Sequence, residues 1–337
     1  MGESYCIKTH KFYGEKARRL LYSANLIVRD LKIIREGEYI LIPVKEPREA
    51  LEVLKNGNID AVVCKREFPE YRRHILKSEV GGYTLIGDIA VISLKYGVDM
   101  EYYKYIGNKL LNELPRIKSV YLKEAVEGVY RLPRLIHIAG EKRTKTMFKE
   151  YGLLFHLDIS KVYVNPRLAY EHRMIAEDIP SNARVLDMFS GIGGFSIHIA
   201  VLNNVNILSS DINPHAVYYL YKNYLLNRKK IRGYISMLRV DAAKLPYIVK
   251  PVFTHIIMNN PTFSKHFAGV ACRLANKNTV IYYYTLNISS IEAEEEALNA
   301  FTSGCGSNVS INVIGSREVI EYSPTHSIFR VKLSLNR

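Results

Sequence analysis

Val185-Leu186-Asp187-Met188-Phe189-Ser190-Gly191-Ile192-Gly193-Gly194-Phe195 joins a continuous apolar run to a helical one. Arg184–Met188 reads as a buried strand and Gly193–Leu202 as a helix, so the glycines fall on a strand-to-helix turn. Glycine lets a backbone turn tightly and approach a ligand closely. Outward from this turn the grammar repeats. Val205–Ser210 reads as a strand, followed by a helix over Pro214–Leu226 with proline in its first turn. Ile235–Val240, His255–Met258 and Val280–Tyr284 read as further strands, with helices over Phe263–Leu274 and Ile291–Phe301. Val309–Ile314 and Ile328–Leu333 close the chain as a strand pair. Strand–helix alternation predicts a mostly parallel sheet covered on both faces, with ligands at the carboxyl ends of its strands.

Those strand ends carry acids. Asp187 ends the strand before the glycines, Asp211 ends the next one 24 residues later, and Asp241 follows the third. The spacing G-x-G-x-x-G that holds a pyrophosphate is missing. The acids suit a cationic amino-acid cofactor with one ribose and one adenine. Asp211, with Ile212 beside it, would take the ribose hydroxyls, and Asp241-Ala242 would read the adenine. This arrangement resembles the S-adenosylmethionine (SAM) pocket of Rossmann-type methyltransferases. The plainer alternative is that Asp187 and Asp211 cap helices. Ile256–Pro261 then brings Asn259-Asn260-Pro261 to the end of the fourth strand. An asparagine amide both donates and accepts, and the pattern is similar to the Asn-x-Pro motif of amino-methyltransferases.

Upstream, the chain reads as two smaller α/β regions. In the first, Cys6–Lys8 is a strand, Gly14–Ala24 an amphipathic helix, Ile33-Ile34 and Tyr39–Val44 a hairpin, and Arg48–Asn56 a second helix. It closes near residue 70, in the charged run Lys65–Arg73. In the second, a strand pair flanks Gly87-Asp88 and a helix spans Met100–Leu114. Ser119–Tyr121, Leu135–Ala139, Leu153–Leu157 and Lys161–Val164 read as strands. The predicted domains are 1–70, 71–158 and 159–337.

The 337 residues carry 47 Lys+Arg against 33 Asp+Glu, a net charge of +14. The excess comes in blocks, eleven basic against five acidic residues over Lys104–Glu150 and eight against one over Tyr221–Lys250. Such blocks point to a polyanionic partner, nucleic acid before membrane. No window holds the roughly 18 apolar residues of a membrane span, and the start lacks the apolar core of a signal peptide. Cys6, Cys64, Cys272 and Cys305 lie far apart without a CxxC pair, so neither a disulfide scaffold nor a metal site is expected, and the expected compartment is the reducing cytoplasm.

Over nearly its whole length the chain resembles the archaeal and eukaryotic family of tRNA (guanine-N1)-methyltransferases acting at position 37, next to the anticodon. The resemblance is carried by Cys6–Lys8, Lys32–Val44, Ile86–Ala90, Ala139-Gly140-Glu141-Lys142-Arg143-Thr144, Asp158–Leu168 and Tyr322-Ser323-Pro324, together with the motifs above. It implies SAM as cofactor, the anticodon loop and body of tRNA as partner, and a monomer as the expected state. It places the general base at Glu171, with Asn259 and Pro261 holding the base. Partial burial is expected to raise the carboxyl of Glu171 toward neutrality. An arginine should hold the charge developing on O6; Arg131 is the first candidate, with Arg134 and Arg143 as competitors. Tyr163, Arg167, Asp187, Phe189, Gly191, Gly193 and Asn259 would border the cofactor, Arg167 near its carboxylate. Two positions depart from the family pattern. Asn260 stands in the base pocket where leucine is usual, and Gly194 where many members carry proline. Asn260 leaves the methylated purine open, because archaeal relatives methylate C7 of the tricyclic wyosine precursor at the same position and a more distant branch transfers aminocarboxypropyl groups. A silent RNA-binding relative would have lost Asp187, Glu171 or Asn259. A protein or small-molecule amine as substrate is disfavoured by the upstream domains and the basic blocks. His172 is expected at the surface, His198 in packing, and Tyr282-Tyr283-Tyr284 in a buried strand.

Overall fold

The computed structural model describes residues 2–28, 31–69, 82–94, 97–323 and 325–336, which fall into two compact units, Met1–Gly82 and Tyr83–Arg337. The far half of the run Lys65–Arg73, and Pro324 of the Tyr322-Ser323-Pro324 signature, lie outside the described residues.

The first unit is a four-stranded antiparallel sheet. Strands β1 (Gly2–His10), β2 (Ile34–Glu36), β3 (Tyr39–Pro43) and β4 (Ala61–Phe68) take the order β2-β3-β1-β4. Helices Gly14–Ser23 and Pro47–Asn56 lay Ala17, Leu21, Ala50 and Leu54 against Ile7, Ile40 and Ile42 of the sheet. The predicted hairpin and both helices are present. Strand β4 was not expected. It runs through Lys65-Arg66-Glu67 with most of its side chains in water, as edge strands do. Its register sets Cys64 opposite Cys6, and the two form a disulfide; Cys272 and Cys305 form another. The expectation of no disulfide scaffold did not anticipate these two pairs, because residues 58 and 33 positions apart in sequence are brought together by a strand pair and by a helix returning on its neighbour.

The second unit begins with strands β5 (Tyr83–Ile86), β6 (Ile89–Ser93), β7 (Ser119–Glu127) and β8 (Leu132–Gly140) in that order. Helix Met100–Glu113 makes the crossover between the parallel strands β6 and β7. A separate hairpin follows, β9 (Lys145–Glu150) with β10 (Leu153–Asp158). Strand β9 went unpredicted because Lys145-Thr146-Met147-Phe148-Lys149-Glu150 pairs its two apolar residues side by side between polar ones and shows no period-two alternation. The strand expected at Lys161–Val164 is a turn instead, since Asp158 takes the N–H groups of Ser160, Lys161 and Val162 on its side chain and carbonyl.

The large sheet contains β11 (Arg184–Asp187), β12 (Asn206–Asp211), β13 (Tyr234–Arg239), β14 (Phe253–Met258), β15 (Ala275–Asn287), β16 (Ser310–Glu321) and β17 (Ser327–Asn336). Its order is β13-β12-β11-β14-β15-β17-β16, parallel from β13 to β15 and antiparallel beyond. The order reverses between β11 and β14, which opens a crevice at their carboxyl ends. Along β11 and β14, Val185 and Ile257 face one layer of helices while Leu186, Ile256 and Met258 face the other. That two-sided burial is why these strands read as unbroken apolar runs.

Helix Pro214–Asn227 holds the β9–β10 hairpin by side-chain amides. Asn227 accepts from Leu154 N–H at 3.0 Å and donates to Leu154 C=O at 2.8 Å, copying a strand partner. Asn223 accepts from His156 N–H at 2.7 Å and donates to Ile192 C=O at 3.1 Å, on the glycine turn. Asn227→Leu should strand two buried backbone groups at a cost of about 1–3 kcal/mol each. The urea midpoint should drop accordingly; an unchanged midpoint would show that water substitutes for the amide.

Candidate functional site

The turn after β11 is built around Gly191 and Gly193, with φ of +53° and +94°. A Cβ on Gly193 would run into the Leu220 side chain, whereas one on Gly191 would meet open space. The turn is pinned from the neighbouring strand. Asp211 accepts Gly191 N–H on one carboxylate oxygen at 2.9 Å and Asn213 N–H on the other at 2.8 Å. Ser190 N–H donates to Ser210 C=O, and Val240 N–H to Asp211 C=O. Asp241 accepts from Ala243 N–H at 3.0 Å, starting a single 3-10 turn over a buried Ala242. All three acids thus sit at the ends of successive strands, and Asp211 and Asp241 do cap turns, but Asp187 does not.

Asp187 has no exposure to solvent. Ser196 Oγ donates to its Oδ2 at 2.6 Å, while Oδ1 has no partner, nor does the buried hydroxyl of Ser190. Burial pushes Asp187 up to about 6, with the Ser196 hydrogen bond working the other way. Burial raises Asp211 as well, against backbone N–H donors. A carboxylate oxygen of Asp187 without a donor, beside the half-buried and backbone-held Asp211, forms a site prepared for hydroxyls or a cation.

One cavity joins this turn to the end of β14. Its walls include Phe189, Ser190, Gly191, Asn259, Pro261, Tyr163, Glu150 and His172. Asn260 is half-buried beside it and accepts the N–H groups of Phe263 and Ser264 on its carbonyl. A second cavity shares Tyr163, Val164 and Asn165 with the first and contains Arg167. Arg167 donates to Glu321 C=O at 3.2 Å there, so it lies next to the first cavity rather than in it. Of the three candidate arginines, Arg131 comes to the mouth of the site. Its guanidinium donates to Thr262 Oγ1 at 2.7 Å, next to Pro261, and lies 6.0 Å from the centre of the Tyr163 ring. Arg134 pairs with Glu124 at 2.9 Å. Arg143 is held by Asp88, Glu141 and the Lys145 carbonyl. Neither is brought to the cavity.

Glu171 is buried, with 2% exposure. Its Oε1 accepts from Tyr284 Oη at 2.8 Å and Arg330 Nη1 at 2.7 Å, while Oε2 is buried without a hydrogen bond, 4.0 Å from Arg317 Nη1. One oxygen is clamped by two donors and the other faces Arg317 alone; Glu171 is not among the residues that line either cavity, although its neighbour His172 lines the first. Sequence reasoning missed Tyr284, Arg330 and Arg317. The available signal was a cation at a period-two position on the inward face of the last strand. Tyr284 and Arg330 are direct cross-strand partners, so they reach the same carboxylate together. Tyr282-Tyr283-Tyr284 is a buried strand segment, as expected. His172 is not at the surface; it is 8% exposed and donates from Nδ1 to Glu150 at 2.9 Å. Helix Ala169–Asp178 turns it inward, and its ring occupies the space a Cβ on Gly194 would need.

The description TRM5/TYW2 methyltransferase domain matches residues 146–313. Those of the tRNA methyltransferase 5 N-terminal domain and the TYW2 N-terminal domain match residues 6–52 and 68–144. The tRNA (guanine(37)-N(1))-methyltransferase Trm5b of Methanocaldococcus jannaschii is 32% identical, across 98% of this chain and 99% of its own. The tRNA 4-demethylwyosine(37)-methyltransferase Taw21 of Saccharolobus solfataricus is 34% identical across 60% of this chain and 76% of its own. Among solved structures, the complex of aTrm5 and tRNALeu superimposes with a TM-score of 0.68 at 31% identity, covering 98% of this chain and 99% of that one. The chain belongs to the TRM5/TYW2 methyltransferase family. Among the described residues no helix is long and apolar enough to cross a membrane.

Asp187 is an acid whose folded value, about 6, lies above its ordinary 3.8. The folded state therefore holds the proton more tightly than the unfolded one, and stability falls as pH rises from near 4 through 6. Asp187→Asn should raise the stability of the cofactor-free protein at pH 8 by up to about 3 kcal/mol relative to its effect at pH 4. Urea titrations at the two pH values read this difference; equal effects would place the aspartate in a less desolvated setting.

Proposed function

We propose that this chain transfers the methyl group of SAM to N1 of the guanine at position 37 of tRNA. The observation that carries this reading is the single cavity in which the glycine turn and Asn259–Pro261 share walls. The residues fit the cofactor. Asp187 Oδ1 and Ser190 Oγ are buried polar atoms lacking partners, and space is open above Gly191. Asp211 and Ile212 would take the ribose, and Asp241 and Ala242 the adenine. Tyr163, Phe189 and Gly193 would border the amino-acid end, and Arg167 would reach its carboxylate only by leaving the Glu321 carbonyl. SAM supplies an electrophilic methyl group.

The chain's own work is to present a nucleophilic nitrogen. Guanine N1 carries a proton, so a base must take it and a donor must hold the charge that moves to O6. Glu171 Oε2 is the free acceptor on a carboxylate fixed by Tyr284 and Arg330. Arg131 is the O6 donor, tethered through Thr262 beside the Asn259–Pro261 turn. Asn259 would orient the base edge, with Pro261 fixing the backbone after it. Asn260 supports a second reading, methylation of C7 of 4-demethylwyosine at the same position, since an amide there can meet a polar tricycle where leucine cannot. We assign residues 1–70 to tRNA-body recognition, 71–158 to RNA binding and 159–337 to methyl transfer, in a cytoplasmic monomer.

Glu171→Gln should slow single-turnover methyl transfer to a tRNA transcript by roughly 100-fold or more, with SAM affinity kept in calorimetry. An unchanged rate would remove Glu171 from the role. Asp211→Ala should weaken SAM binding by about 1–3 kcal/mol, and intact affinity would displace the cofactor from this strand end. Nucleoside analysis of the product separates 1-methylguanosine from the methylated tricycle. A protein lacking the first 70 residues should keep SAM binding and lose discrimination between folded tRNA and an isolated anticodon stem-loop, with a shallower salt dependence of binding. Equal rates at subsaturating tRNA would mean that these residues do not read the tRNA body.

A further inference from the structure

Glu150, His172 and His198 come from three different elements: the end of β9, the helix Ala169–Asp178 and the helix Gly194–Leu202. They lie 22 and 26 residues apart, so no ligand motif announces them. All three are buried, with exposures of 5%, 8% and 1%. One atom from each, the donor nitrogens and a carboxylate oxygen, falls within 4.8 Å of the other two. Glu150 Oε2 is the hub, 2.9 Å from His172 Nδ1 and 3.3 Å from His198 Nε2.

A hydrogen-bonded cluster accounts for only part of this. His172 makes a good bond to the carboxylate, but His198 Nε2, 3.3 Å from the same oxygen, lacks good hydrogen-bond geometry to it. A buried nitrogen so poorly satisfied is destabilising. The rings are fixed as ligands need to be: Phe155 stacks on His198 and Phe195 meets His172 edge-on. Glu150 and His172 also line the cavity, which leaves a coordination position open on that side.

We propose that Glu150, His172 and His198 bind a divalent transition-metal ion, zinc being the best fit. Two imidazoles and one carboxylate select borderline ions over magnesium or calcium. Zinc bonds of about 2.0–2.2 Å in a tetrahedral array set ligand atoms roughly 3.3–3.5 Å apart, so the spacings around Glu150 need to open by a few tenths of an ångström, while the two imidazole nitrogens, which lie within 4.8 Å of each other, must close by up to about 1.4 Å through rotation of the rings. The ion would lock the helix that bears Glu171 to the helix that follows the glycine turn.

The test uses the full chain, stripped with a chelator and titrated with Co2+. The expected result is a visible d–d spectrum of a low-symmetry site that saturates at one equivalent and is abolished by Zn2+. Metal analysis of the zinc-loaded protein after gel filtration should return the same stoichiometry. His198→Phe and Glu150→Gln should each weaken Co2+ binding by at least the roughly 10- to 100-fold seen for loss of a mere outer contact. Absence of a saturable spectrum in the wild-type protein overturns the proposal whatever the variants do. So does an unchanged spectrum in folded His198→Phe. The readout is independent of methyl transfer, so its failure leaves the proposed reaction standing.

Discussion

A carboxylate taken out of water must be given donors, and the helix Ala169–Asp178 buries one, Glu171, and repeats the same grip at the exposed Asp178 on its last turn. Glu171 and Asp178 are seven residues apart, two helical turns, and each is gripped by a tyrosine and a cation from the sheet beneath. Tyr284 and Arg330 hold Glu171, and Tyr282 and Lys332 hold Asp178. Both pairs are direct cross-strand partners on β15 and β17. The helix is thereby set in register with the sheet by polar contacts, where apolar packing alone would tolerate small slips. Everything on that helix inherits the register, including the free oxygen of Glu171 and the inward turn of His172.

The parallel half of the sheet sets the other side of the site. Strand order reverses between β11 and β14, and no helix can fill the crevice where the crossovers diverge. Asp187 and Asn259 come to that crevice from adjacent strands, and Asp211 reaches it through its grip on Gly191. The glycine turn has few contacts of its own; it is shaped by groups reaching in from β12 and from Asn223. A desolvated Asp187 is a standing cost to the fold, tolerated where a ligand supplies what the protein withholds.

Much of this could be read from residues alone. The alternation of strands and helices after Ala183, the acids at strand ends and the Asn259–Pro261 turn all depend on local pattern, and local pattern survives folding. What escaped notice depends on distant pairing. Strand β4 has the composition of a surface segment, and only its partner β1 makes it a strand. Arg330 and Tyr284 are 46 residues apart and meet only through register. His172 looked like a solvated helix residue because the hairpin that covers it lies outside its window. Among the three arginines, sequence offered a count and the structure a place: Arg131 sits at a left-handed backbone position, φ +52°, just after the turn between β7 and β8, which aims it toward Thr262.

The amide ladder from Asn223 and Asn227 to the β9–β10 hairpin redraws the covalent order of the chain. By sequence the hairpin is the tail of the middle region. By contact it is an added layer of the large α/β core, with Leu153, Phe155 and Leu157 buried in it. A cut at Ile159 would leave that core with an uncovered apolar face and two asparagines stripped of their hairpin partners, whereas a cut before Lys145 would take the layer along. The smallest autonomous piece is therefore longer than its strand–helix pattern suggests, and because Ile86, Ile89, Val91 and Tyr121 pack into the same core, it reaches back through the middle strands as well.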